Sequence, residues 1–187
     1  CSVQIDNIPR AIMSLITLLC LFFATHISLA ADIRAQTAPS LEPQTPVIPF
    51  YPTKTSSYFI NSEMLYIEDP EHLESIETIQ NNRHIWQEIK RNSPNFGFTS
   101  TAYWFKFNIN NISDKPQSIY LELPIPFLDS IQLYQTSNKV IIKRHDVGDQ
   151  YPFEHRPIIH QNFVLPFDLI PGTNEMYMRV SSAGTVE

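Results

Sequence analysis

An all-β domain is predicted for this chain, an antiparallel sandwich or barrel with short helical turns, on three observations. Segments of strand character succeed one another from Ala102 onward: "AYWFKFNIN", "SIYLELPI", "DSIQLYQT", "KVIIKRHDVG", "QNFVLPFDL" and "EMYMRVSS". They are separated by the short polar or proline-bearing breaks "NISDKPQ", "PFL", "TSN" and "PGTN", with no helical pattern between them. Apolar residues alternate within them, as Tyr103, Phe105, Phe107 and Ile109 do. Composition agrees, with 12 Phe and 8 Tyr but only 4 Gly in 187 residues.

The elements read in order as follows. Arg10 precedes an apolar run from Leu15 to Ala24, which ends in the small-residue site "SLAA". Residues 1–31 therefore read as a secretory signal peptide cleaved after Ala30, or as an uncleaved N-terminal anchor. Residues 32–57 read as a linker, since Ala35–Ser57 holds five prolines and no periodicity. Its Val47, Ile48, Phe50 and Tyr51 are apolar enough to dock on a domain surface. Residues 58–187 read as the sandwich. "SYFIN" and "MLYIED" open it as short strands. "DPEHLESIETIQ" places Leu73, Ile76 and Ile79 at helical spacing behind acidic residues, which suits a helix start. "RHIWQEIKR" reads as a further helical turn, and "SPNFG" as a loop.

Several function classes are excluded at this level. The formal net charge is -6 with no basic run, so a nucleic-acid partner is not expected. Both cysteines, Cys1 and Cys20, lie in the leader, so the body offers no disulfide, thiolate nucleophile or cysteine metal ligand. No G-x-S-x-G turn or glycine-rich phosphate loop occurs. The histidine-rich segment "RHDVGDQYPFEHRPIIH" matches no metal-ligand spacing. No catalytic residue, metal or cofactor is expected.

Binding residues are a different matter. Trp104, Tyr120 and Tyr134 each sit at the polar parity of their strands. If those strands neighbour one another, the face opposite the core carries a belt of aromatics among polar groups, suited to a sugar ring. Alternatively the helical turns cover that face as a second small core, with Trp104 as their anchor. In "HRPIIHQNF", Pro157 holds Arg156 at a bend, and His160 leads into an apolar strand run. That pair either ties loop carbonyls to the sandwich or joins a ligand site.

The strings "SPNFGFTSTAYWFKFNINN", "IYLELPIPFLDSIQLY", "RPIIHQNFVLPFDLIPG" and "MYMRVSSAG" occur in order, at similar spacing, in one family. In them the chain resembles the type-two extracellular domain of 7TM-DISM receptors, bacterial seven-transmembrane receptors with diverse intracellular signalling modules. The resemblance covers Tyr58 to the end. It implies a jelly-roll-like β-sandwich similar to carbohydrate-binding modules, on the periplasmic side of the bacterial inner membrane. It also implies a small-molecule ligand, of carbohydrate type, and a following seven-helix region with a cytoplasmic diguanylate cyclase or histidine kinase. The chain ends where a last strand is expected, ahead of that region. Arg156 and His160 belong to the family string.

Overall fold

The computed structural model describes residues 43–52, 60, 63–89, 96–183 and 185–186, all within one unit, Glu42–Glu187. The expected leader or anchor, residues 32–42 and 53–57 of the linker and all of "SYFIN" except Ile60, which packs against the main core, lie outside the described residues. Among the described residues no helix is long and apolar enough to cross a membrane.

The fold is the expected antiparallel β-sandwich. Its strands are β1 (Val47–Phe50), β2 (Leu65–Asp69), β3 (Gln87–Glu88), β4 (Gly97–Phe98), β5 (Ala102–Asn111), β6 (Gln117–Leu123), β7 (Ser130–Ser137), β8 (Val140–Val147), β9 (Phe163–Leu169), β10 (Gly172–Ser181) and β11 (Thr185–Val186). One helix, α1 (Ile76–Asn81), and a 3-10 turn (Phe153–His155) complete it. The large sheet runs β3-β2-β5-β10-β7-β8, with β1 also on β5. A two-stranded sheet, β6-β9, faces it, and β4 pairs with β11.

Register turns the alternation of each strand into rows across the large sheet. Tyr103 lies opposite Val180 and Val180 opposite Ile131; Phe105, Met178 and Leu133 form the next row. These side chains meet Phe163, Leu165, Phe167 and Leu169 of β9, and together they make the main core. Apolar residues two apart on β5, β7, β9 and β10 are what allow one continuous layer between the sheets. At one end the core becomes polar. Asn174 accepts from Gln135 Nε2 (2.8 Å) and the Ile170 amide (3.0 Å), and donates to the Ile170 and Gly172 carbonyls. This ties the β9–β10 turn to β7, so buried amides are spent on loop backbone that would otherwise lack partners.

Three local differences from the sequence expectation have physical reasons. Val47–Phe50, inside the proline-rich stretch, is a strand parallel to β5, with Ile48 buried. Pro49 within it and Pro46 just before it are tolerated because β1 pairs only with β5 and is an edge strand. The helix is shorter than its periodicity suggests. The buried Asp69 carboxylate accepts from the Leu73 and Glu74 amides, which holds that segment as a turn, and Leu73 is exposed. Ser75 then caps α1 in a capping box with Thr78. The segment "RHIWQEIKR" is not helical in its described part. Gln87 and Glu88 pair with Tyr66 and Leu65, and strand pairing prevails over weak local propensity. The β7–β8 hairpin turns through Asn138 and Lys139, both at positive φ, as a two-residue turn matching strand twist requires.

Candidate functional site

The five residues singled out from sequence fall into two places. Trp104 and Tyr134 meet on the outer face of the large sheet, with ring centroids 6.0 Å apart and planes nearly parallel. Trp104 is 0% exposed. It belongs to a second apolar cluster with Leu65, Ile67, Ile76, Ile79, Trp86 and Tyr177. Helix α1 and the segment bearing Trp86 thus cover this face. The expected aromatic belt of Trp104, Tyr120 and Tyr134 does not form as one surface, because Tyr120 lies on the other sheet. Of the two readings of Trp104, the covered second core is the one the structure adopts.

Charged groups frame this cluster. Arg144 lies over the Tyr134 ring at 5.2 Å and donates to Asp146 at 2.6 Å. Lys106 lies over Trp86 at 5.4 Å. On the opposite side, His72 Nε2 donates to the Ser100 carbonyl (2.6 Å), so its Nδ1 accepts from Arg179 (3.2 Å). Arg179 also stands 3.9 Å from the buried Asp69 carboxylate. This chain of contacts links the turn before α1 to β10. Burial pushes the phenol of Tyr177 up to about 12 and raises that of Tyr134. Both therefore remain protonated at neutral pH as core groups.

Tyr120 lies on β6, while Arg156 and His160 lie in the loop that enters its partner strand β9. Ser118, Tyr120 and Glu122 alternate outward from β6, while Ile119, Leu121 and Leu123 turn to the core. Tyr120 is 67% exposed and lies opposite Pro166 of β9. On one side of it Ser118 donates to Asp168 (2.6 Å); on the other Asn162 donates to Glu122 (2.6 Å). The Asn162 amide donates to His160 Nδ1 at 3.1 Å, which leaves the ring proton on Nε2 when the ring is neutral. Arg156 donates to the carbonyls of His160 (2.7 Å) and Gln161 (2.6 Å) and lies 4.4 Å from the centre of the Phe163 ring. It thus fixes the loop that presents His160 and Asn162.

The result is an open face with one aromatic side chain at its middle and carboxylates on both flanks. Such an arrangement accepts hydrogen bonds from hydroxyls while offering a flat apolar surface between them. Sequence reasoning found Tyr120, Arg156 and His160 but missed Glu122, Asn162, Ser118 and Asp168. The first two were signalled only by parity with Tyr120 and proximity to His160; their meeting depends on the β6–β9 register.

The model of the 7TMR-DISM extracellular 2 domain matches residues 61–187. The chain belongs to this family. As a 7TMR-DISM extracellular domain it is the sensing part of a seven-transmembrane receptor, facing outside the membrane. The match spans the described strands from β2 onward, so the β6–β9 face and the covered aromatic face both belong to the family domain. No curated protein matches the chain.

Arg156→Lys tests the role of the arginine within this 7TMR-DISM domain. Lysine keeps the charge but loses the fork that reaches two carbonyls and the flat contact with Phe163. A loss of about 1–2 kcal/mol is expected, read as a lower urea midpoint. An unchanged midpoint would show that the two carbonyls do not depend on the fork.

Proposed function

We propose that this domain recognises a small polyhydroxylated ring ligand of carbohydrate type on the outer face of β6–β9. It does so in the periplasm, on the outer side of a bacterial inner membrane, and passes the signal through a following seven-helix region to a cytoplasmic output such as a diguanylate cyclase or histidine kinase. The observation that carries the ligand class is Tyr120, exposed at the centre of a sheet face between the Ser118–Asp168 and Asn162–Glu122 pairs. A sugar presents C–H bonds on one face and hydroxyls at its rim. An aromatic ring with flanking carboxylates and an amide complements both. Tyr120 and His160 contact the ligand in this reading, and Arg156 positions the loop.

The test is calorimetric titration of the chain with glucose, maltose and cellobiose. Binding of at least one is expected, with loss of about tenfold or more in Tyr120→Ala. The melting temperature of that variant should move by no more than about 2 °C, because the side chain is mostly in water. Equal binding by both proteins would remove Tyr120 from the site.

A second reading, a protein-interaction module without a small ligand, is favoured by β8. This strand ends the large sheet, and its Val140, Ile141 and Ile142 are all exposed. An apolar sheet edge suits strand addition by a partner. Absence of any sugar binding together with a captured partner chain on β8 would favour it.

A further inference from the structure

The small sheet has two edges, and one of them is open. β9 has β8 beside it: His145 of β8 donates from Nε2 to the Pro166 carbonyl at 2.9 Å. β6 is bonded to β9 alone among the described residues. Backbone groups of a strand alternate between its two sides, so β6, seven residues long, turns a row of N–H and C=O groups away from β9. Its apolar side shows the same gap. Ile119, Leu121 and Leu123 pack against the main core yet are only half-buried. Their partners in register on β9, Phe167, Leu165 and Phe163, are at most 1% exposed. The inward side chains of β6 are shielded by β9 on one side and lack a neighbouring strand on the other.

Strand edges ordinarily carry devices that stop another strand from joining them. β1 holds Pro49, and β3 has only two residues. β8 is broken by a register shift opposite Gln135 and Thr136 and carries Lys143 and Arg144. β6 has no proline and no basic residue, its register with β9 is unbroken, and Glu122 is its one charge. The strand is also complementary to itself. Run antiparallel to a second copy about its midpoint, Tyr120, it matches along all seven residues. On the outer side Tyr120 meets the partner's Tyr120, and Ser118 meets the partner's Glu122. On the inner side Ile119 meets the partner's Leu121, and Gln117 the partner's Leu123. Aromatic and aliphatic groups face their own kind, and no like charges oppose each other.

We propose that β6 is a dimerisation edge. A second copy of this chain adds its own β6, antiparallel and centred on Tyr120, and the two small sheets become one sheet of four strands. An interface across a two-fold axis must be complementary to itself, and this strand meets that condition. The added strand takes up the open backbone groups and covers the free sides of Ile119, Leu121 and Leu123. Two receptors held in one membrane meet at a raised effective concentration, so a weak pairing suffices. The proposal does not rest on the sugar reading, since both Tyr120 rings stay on the outer face.

The experiment is analytical ultracentrifugation of the full chain with Cys1→Ser and Cys20→Ser, which removes both of its thiols. A monomer–dimer equilibrium is expected, with a Kd on the order of 10–100 µM, because one strand pair falls short of the roughly 800 Å² per partner of a standard interface. Ser118→Glu faces the partner's Glu122 and should weaken the dimer about tenfold or more, while Ser118→Lys should hold it at least as well as the parent. Ser118 is exposed, so both variants should melt within a few degrees of the parent. Oxidation with copper phenanthroline gives a second readout. Tyr120→Cys sets its thiol on the two-fold axis opposite its own copy and should link into a covalent dimer, whereas Ser118→Cys alone faces Glu122 and should not. Sugar titration of the same samples separates the two readings, since a dimer that binds no sugar and a monomer that binds one fail different proposals. A chain that stays monomeric at every concentration, dimers indifferent to Ser118→Glu, or linkage as ready at 118 as at 120 would each overturn the dimer edge. So would a monomer whose β6 takes up a strand of another protein instead.

Discussion

Replacing Trp104 by alanine is expected to lower stability by about 3–5 kcal/mol, the range for truncating a large buried aromatic. Trp104 is fully buried on the outer face of the large sheet, between Ile67 of β2 and Arg179 of β10 in register. Its indole stacks on Tyr134 and underlies Ile76, Ile79 and Trp86. Removing it opens a void on one side of every one of these contacts. Helix α1 has six residues and is too short to persist without the surface it covers. The loss should therefore include release of the α1 segment, seen as faster amide exchange at Ile76–Asn81. The melting temperature should fall by roughly 10 °C or more. Trp104 Nε1 has no hydrogen-bond partner among the described residues, so Trp104→Phe forfeits volume but no bond and should cost less than alanine. A Trp104→Ala protein that melts within a degree of its parent would show that the second cluster does not hold the domain together.

Gly148→Ala is expected to destabilise by more than about 3 kcal/mol, by overlap rather than by loss of contact. Gly148 follows β8 with φ 153, a conformation side-chain-bearing residues rarely adopt. A Cβ there would stand 2.6 Å from the Asp129 carbonyl carbon, 2.9 Å from the Ser130 Cα, and closer still to the Asp129 oxygen. All three are backbone atoms at the start of β7, where no rotamer change can make room. The neighbouring amides of Asp149 and Gln150 donate to the Leu128 and Asp129 carbonyls, so the loop cannot back away without breaking bonds. Urea unfolding gives the number, and an unchanged midpoint would mean that the β7 entry yields. Gly97 and Gly172 also have positive φ, but a Cβ at either meets nothing within 4 Å. Alanine at those positions carries only the backbone penalty, so the contrast isolates the steric part.

The strands from Ala102 to Ser181 were legible because each satisfies a local rule. Tyr103, Phe105, Phe107 and Ile109 show period two, and so do Phe163, Leu165, Phe167 and Leu169. Their burial needs only one opposing layer, and any sandwich supplies it. Parity also placed Trp104 and Tyr134 off the main core, which the rows across β5, β10 and β7 bear out. Period alone did not say whether that face meets water. Alternation reports the direction of a side chain relative to its strand; it carries no information about what lies beyond.

The sequence by itself therefore determined the class of fold, the inward set of each strand, the family, and the need for Trp104 to find a partner other than the main core. Only the tertiary structure decided who that partner is, because α1 and Trp86 reach Trp104 through β2–β5 pairing between residues far apart in the chain. It also decided that Tyr120 stands apart from Trp104, since strands 6 and 9 pair with each other instead of joining the large sheet. Hydrogen-bonding groups on a strand edge are alike along its length, so pairing choice depends on which apolar faces can be buried together. That is a property of the whole chain, and no short window contains it.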